Sequence, residues 1–199
     1  MLIPTTPAPP PQCIEAESLL KLNEESLFDP KSPYAASKVF AHDITRIYRE
    51  SYDLFCVNGI LFNHESPFRG ETFVTRKISK AVGRIHLGLQ NKLTLGNLDA
   101  SRDWGFAGDY IEGMWLMMQH DEAEDWVLAT GKSYKVSDFA KEAFNQVGLD
   151  WSDYVETSEK YLRPNEVDYL LGDSSKAEKK LGWKSKTSFK ELVKMMVEH

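Results

Sequence analysis

The chain has 199 residues, 42% of them hydrophobic, and a formal charge of −6 from 24 Lys and Arg against 30 Asp and Glu. That length buries roughly 70% of the unfolded surface in one solid core, and the acidity excludes nucleic acid and anionic membrane as main partners, because neither gains from counterion release or surface attraction. No apolar run reaches the ~20 residues of a spanning helix, the N-terminus lacks a basic-then-apolar signal, and Cys13 and Cys56 have no metal-ligand spacing to other Cys or His, so the expectation is a cytoplasmic protein without metal.

Residues 1–12 carry prolines at 4, 7, 9, 10 and 11 and cannot hold a hydrogen-bonded element, which predicts an extended leader. Ile14, Leu19, Leu20 and Leu22 have helical spacing and predict a short, weak helix. Residues 1–22 are therefore set apart from a folded part over 23–199. The first glycine is Gly59, so no glycine-rich phosphate loop precedes it, and no GxGxxG follows.

Ser32-Pro33-Tyr34-Ala35-Ala36-Ser37-Lys38 reads as a helix start, with Ser32 as N-cap and Pro33 in the first turn. Tyr34 and Lys38, four apart, lie on one face. A phenol with a pKa of about 10 is a poor base, but an ammonium and a helix N-terminus beside it both favour the phenolate. Such a tyrosine takes a proton from a sugar hydroxyl while a cofactor takes the hydride. The spacing alone is equally that of an ordinary amphipathic helix with a core tyrosine.

That helix is predicted to run from Pro33 to about Tyr52 with Tyr34, Val39, Phe40, Ile44, Ile47 and Tyr48 on an apolar stripe. The apolar run Leu54–Phe62 then has the character of a parallel strand covered on both faces, which gives an α/β sheet. Ligands of such sheets sit beyond the carboxyl ends of strands, here Asn63-His64-Glu65 and the loop to Glu71. A helix over 72–85 should turn Phe73, Ile78 and Val82 inward and leave most of Arg76, Lys77, Lys80 and Arg84 solvated. Leu93–Leu95 reads as a short strand before the turn at Gly96-Asn97. A helix over 108–119 should bury Tyr110, Met114, Trp115 and Met118. Trp126–Thr130 is a strand, Ser137 starts a helix stopped by Gly148, and a short strand surrounds Val155. Residues 163–168 form a polar loop, Asp173 caps a helix closed by Gly182, and Ser188 with Glu191 makes the capping box of the last helix.

Six ordered stretches carry a resemblance: Ser32–Lys38, Phe62–Pro67, Arg69–Lys77, Leu95–Asn97, Arg102–Gly105 and Arg163–Asp168. Over about 23–199 the chain resembles the GDP-mannose 4,6-dehydratases, a family of extended short-chain dehydrogenases/reductases. The resemblance implies a partial Rossmann-type α/β fold with a C-terminal α/β substrate-binding region, NADP as cofactor, GDP-mannose as substrate on the route to GDP-fucose, and a homo-oligomer in the intact member. It also implies that Tyr34 accepts the proton of the 4-hydroxyl and that Lys38 holds the cofactor ribose and lowers the pKa of Tyr34. His64 and Arg69 would contact NADP, while Asn63, Lys77, Asn97, Arg102, Arg163 and Glu166 would hold the GDP portion. The family's glycine loop, and the Ser/Thr-x-Glu segment whose Glu abstracts the C5 proton, have no counterpart here; Glu15 and Glu17 do not match its setting. The expectation is a carboxyl-terminal portion that does not run the reaction alone. The alternative is a nucleotide-sugar-binding or dimerising module that modulates a full-length enzyme.

Overall fold

Helix α1 (Pro33–Tyr52) begins and ends where its sequence dictates. The Ser32 hydroxyl accepts from the Ala35 N–H at 3.1 Å, Pro33 occupies the first turn, and Asp53 leaves the helix in the left-handed conformation at φ 52°. In this computed structural model residues 21–162 and 167–199 are described. The expected 1–12 leader and most of the weak helix fall outside them, and Leu22 forms an isolated parallel bridge with Gly172.

The strand expected over 54–62 is shorter, β1 (Asn58–Leu61), because Leu54 and Phe55 lie on the surface. It continues almost directly into β2 (Asn63–Glu65). The first half pairs in parallel with β6 (Asp125–Leu128), and the second pairs in parallel with β5 (Trp104–Phe106). Phe62 bridges the switch by donating its N–H to the Leu128 carbonyl at 3.0 Å. A third parallel pair joins β3 (Leu93–Leu95) to β8 (Val155–Thr157), and β4 (Ser101–Arg102) pairs antiparallel with β7 (Tyr134–Lys135). Both faces of β1 are covered, as parallel strands require: Leu61 and Leu128 pack with Trp126 and Trp183, whereas Ile60 and Val127 face Leu22 and Phe28.

The main core lies among α2 (Val74–His86), α4 (Val136–Asn145) and α6 (Phe189–Glu198), where Ile78, Val82, Phe139, Phe144, Leu192 and Met196 interlock. Helix α5 (Ser175–Leu181) closes at Gly182 in the left-handed region, and the Ser188–Glu191 capping box opens α6. Two cap assignments shift: Lys135 rather than Ser137 precedes α4, with its N–H bonded to Asp138, and Asp173 accepts from the Ser175 N–H while Ser174 is the N-cap.

Several expected core residues are on the surface. Along α1, Phe40 is 67% exposed, and Tyr34, Ile44, Ile47 and Tyr48 also face solvent. Only Ala35 and His42 of that helix are buried. In α3 (Ala107–Met117) Tyr110 is fully buried, but Trp115 is 62% exposed and Met118 just beyond is also outside. Phe73 is exposed too, at the N-cap of α2. Helical spacing gives a common face, but burial requires another element to lie against it.

Candidate active site

The tyrosine and lysine lie together as their spacing requires. The Lys38 ammonium is 5.4 Å from the centre of the Tyr34 ring, and Tyr34 is 59% exposed, open to a ligand. The first turn of α1 contains no acidic side chain, so nothing within that turn offsets the helix's partial positive charge.

His64 is fixed from two sides. Its Nδ1 is 2.8 Å from the Phe62 carbonyl, which only accepts, so Nδ1 carries the hydrogen and Nε2 keeps its lone pair. Its ring stacks on Tyr110 with centroids 5.1 Å apart. Burial, and behind it the Arg69 charge, lower its pKa and favour the neutral imidazole. Arg69 lies over Phe73, its guanidinium carbon 3.6 Å from the ring centre, with Nε 3.1 Å from Glu65 Oε2. That N–H is not aligned for a hydrogen bond, so the contact is an ion pair. Glu65 is 3% exposed; burial raises its pKa, against the pull of Arg69 and of the Thr75 hydroxyl at 2.7 Å.

A second group gathers on the C-terminal side. Lys77 donates to the Thr94 carbonyl at 2.6 Å and sits 4.0 Å over the Tyr161 ring, so it is tethered rather than solvated as most charges on that helix were expected to be. Gly96, beside Asn97, has the Tyr161 carbonyl where a Cβ would stand. On the other side, Ser101, next to Arg102, exchanges backbone hydrogen bonds with Asp168 and Leu170 at 2.7 and 3.1 Å. The chain is thus anchored near Asn97 before position 163 and near Arg102 after position 166. Arg163 and Glu166 lie outside the described residues. Asn63 stands opposite Trp104, two residues beyond Arg102. No hydrogen bond or ion pair links Tyr34 or Lys38 to this group among the described residues.

Residues 16–196 match the family model described as GDP-mannose 4,6 dehydratase. The chain belongs to the GDP-mannose 4,6-dehydratase family. It is 57% identical over 190 residues to GDP-mannose 4,6 dehydratase 1 of Arabidopsis thaliana, covering 96% of this chain and 50% of that protein. It is 49% identical to GDP-mannose 4,6 dehydratase of Homo sapiens, covering 87% and 51%. The chain therefore spans about half the length of these curated relatives. The solved structure of RMD from Pseudomonas aeruginosa complexed with NADPH superposes with a TM-score of 0.82 at 21% identity, over 93% of this chain and 61% of that one. DesIV, a dTDP-glucose 4,6-dehydratase from Streptomyces venezuelae with NAD and TYD bound, gives 0.79 at 24% identity, over 93% and 55%. These two likenesses establish the extended short-chain dehydrogenase/reductase fold, as expected.

Sequence reasoning passed over several groups that build the site of this dehydratase-family chain. Asp103, fully buried, accepts from the Thr130 N–H and hydroxyl at 2.9 and 2.7 Å, from the Gly131 N–H at 2.9 Å and from the Gly172 N–H at 3.3 Å. Burial raises its pKa, against those four donors. It ties β5 to the loop after β6 and to the segment after Asp168. Its one trace in the sequence is an acidic residue placed between Arg102 and Trp104. A cavity of about 680 Å³ lined by Trp104, Thr130, Lys132, Tyr134, Asp173 and Phe189 contains none of the expected site residues. Among the described residues no group of His, Cys, Asp or Glu is placed to hold a metal. The residues fit the redox end of a nicotinamide cofactor in part: a tyrosine-lysine pair, a neutral imidazole with a free Nε2 and a guanidinium held over Phe73. A glycine-rich cradle for its diphosphate is not among these 199 residues.

Proposed function

We propose that this chain is the substrate-binding and proton-transfer half of a GDP-mannose 4,6-dehydratase, acting with NADP on GDP-mannose to give GDP-4-keto-6-deoxymannose. The observation that carries the reading is the Tyr34–Lys38 pair on the first two turns of α1, within a chain 57% identical to a dehydratase of that name. Tyr34 takes the proton of the sugar 4-hydroxyl. Lys38 holds the cofactor ribose and keeps positive charge beside the phenol. NADP held there would supply the hydride acceptor for C4 and the hydride donor for C6, on either side of the loss of water across C5 and C6. His64 and Arg69 hold the cofactor, the former as a neutral ring and the latter by the guanidinium edge turned away from Glu65. Asn63, Lys77, Asn97, Arg102, Arg163 and Glu166 hold the GDP portion, the arginines by bidentate pairing with the diphosphate.

The family's C5 base and glycine loop have no counterpart in these residues, so the 199-residue chain alone binds GDP-mannose but does not dehydrate it. Calorimetry with GDP-mannose is expected to give heat that Arg163→Ala or Arg102→Ala removes. NADP-dependent turnover by the chain alone, abolished in Tyr34→Phe, would overturn the inactivity. Absence of heat at high micromolar ligand would overturn the binding half of the proposal. The exposed apolar side of α1 favours a second reading, an associating module that pairs with another copy or with a full-length dehydratase. Mixing with such an enzyme and sizing the products tests it. No described helix is long and apolar enough to cross a membrane.

A further inference from the structure

Helix α1 carries the tyrosine and lysine, yet little apolar surface holds it in place. Of its twenty residues only Ala35 and His42 are buried. What fastens it is polar and converges on one carboxylate. Asp125, the first residue of β6, accepts from Arg49 at 2.8 Å and from the Asn58 amide at 3.0 Å on Oδ1, and meets His42 Nε2 at 2.7 Å on Oδ2. His42 and Arg49 are two turns apart on α1 and therefore share a face. Arg49 also donates to the Cys56 carbonyl at 3.2 Å, and the Asn58 amide lies 3.4 Å from the His42 carbonyl. The His42 ring stands edge-on to Phe28, centroids 4.7 Å apart. From the other side Lys176 of α5 donates to the Asp125 backbone carbonyl at 2.7 Å, which fixes the start of β6.

We propose that Asp125 is the positioning residue that seats the Tyr34–Lys38 helix on the sheet, through His42 and Arg49. The functional weight of this rests on the reading of Tyr34 and Lys38 as the proton-transfer pair; the seating itself does not. Tyr34 lies eight residues before His42, roughly 12 Å along the axis at 1.5 Å per residue. A tilt of about 10° at the latch would therefore move the phenol by roughly 2 Å, more than proton transfer and hydride alignment tolerate. Burial by itself would raise the carboxyl's pKa, but the hydrogen bonds from His42, Arg49 and Asn58 outweigh it and hold Asp125 well below the usual carboxylate range.

The test is segment-resolved hydrogen exchange on the purified 199-residue chain without ligand. Asp125→Asn is expected to lower protection over 33–52 at least tenfold and to leave α2, α4 and α6 within twofold of the parent. Asp125→Glu, which keeps the charge, is expected to restore part of it. Arg49→Gln removes one of the two helix contacts and should give a smaller loss in the same segment, which keeps the test decisive if Asp125→Asn does not fold. Unchanged exchange over 33–52 in Arg49→Gln, or equal loss in all elements, would overturn the proposal. A second readout separates the seating from a general loss of fold: Asp125→Asn is expected to leave GDP-mannose binding within twofold of the parent, measured by calorimetry. If the parent chain gives no heat with GDP-mannose while the exchange result holds, the proposed function fails and the seating stands.

Discussion

The two sides of this molecule hold their helices by different physics. In α2, six of thirteen residues are buried, and five of ten in α4, locked against α6 by Phe139, Phe144 and Leu192. Helix α1 is longer than either and buries two. Its apolar side chains face solvent, and its seat depends on Asp125, His42 and Arg49. Apolar packing is non-directional and tolerates small shifts, whereas a carboxylate shared by three donors fixes one geometry and fails when a partner is lost.

The largest expected effect is on the packed side. Phe144→Ala opens a cavity in the core shared by α2, α4 and α6 and removes the stack on Tyr154, 5.6 Å between centroids; it is expected to cost about 3–5 kcal/mol in chemical denaturation, and a cost under about 1 kcal/mol would mean the core is looser than the buried set implies. Asp103→Asn turns an amide toward N–H groups that now donate to a carboxylate, and a loss of about 2–3 kcal/mol is expected. The same measurement at lower pH should show a larger difference, since the amide variant does not titrate and the parent gains stability as pH falls. Because burial raises the pKa of Asp103, the folded state binds more protons than the unfolded chain over that interval, and the carboxylate's contribution weakens as pH rises.

Acid should separate the two regions further. Glu124, between Lys176 and Lys180, titrates at about 2 instead of 4.5, and Asp125 is also lowered. For a depressed carboxyl the unfolded chain binds more protons, so the stability it contributes is present above the ordinary value and is lost as pH falls from about 4.5 toward 2. Hydrogen exchange between pH 5 and pH 3 is expected to loosen α1 and α5 before α2, α4 and α6, and Glu124→Gln should flatten the α5 part of that slope. Uniform loosening would erase the distinction between the regions. Smaller again, Gly96→Ala pushes a methyl into the Tyr161 carbonyl, with an expected cost of about 1–2 kcal/mol and weaker GDP-mannose binding. The least effect is expected at Phe40: Phe40→Ser should change stability by under about 0.5 kcal/mol while lowering self-association in sedimentation.

Much of the candidate site was legible because its residues sit in contiguous stretches whose local rules are short-range. Tyr34 and Lys38 met as their spacing required, whereas Asn63 and His64, expected beyond a strand, lie within β2, and Arg69 follows its end. The supporting residues were not legible. Glu65 read as part of the loop beyond a strand and Trp115 as core, and Asp125 drew no reading at all, since partners 67 to 83 residues away for Asp125, and the lack of cover for Trp115, leave no trace in periodicity.

By itself the sequence determined the ends of α1 through Ser32, Pro33 and Asp53, the stop at Gly182, the Ser188–Glu191 box and the dehydratase-family motifs, because caps and i to i+4 neighbours act within a turn or two. Only the tertiary structure decided which apolar faces find cover and which buried carboxylates tie distant strands to the helix bearing Tyr34. Burial and charge pairing are properties of the space between elements, and that space exists only once the chain has folded.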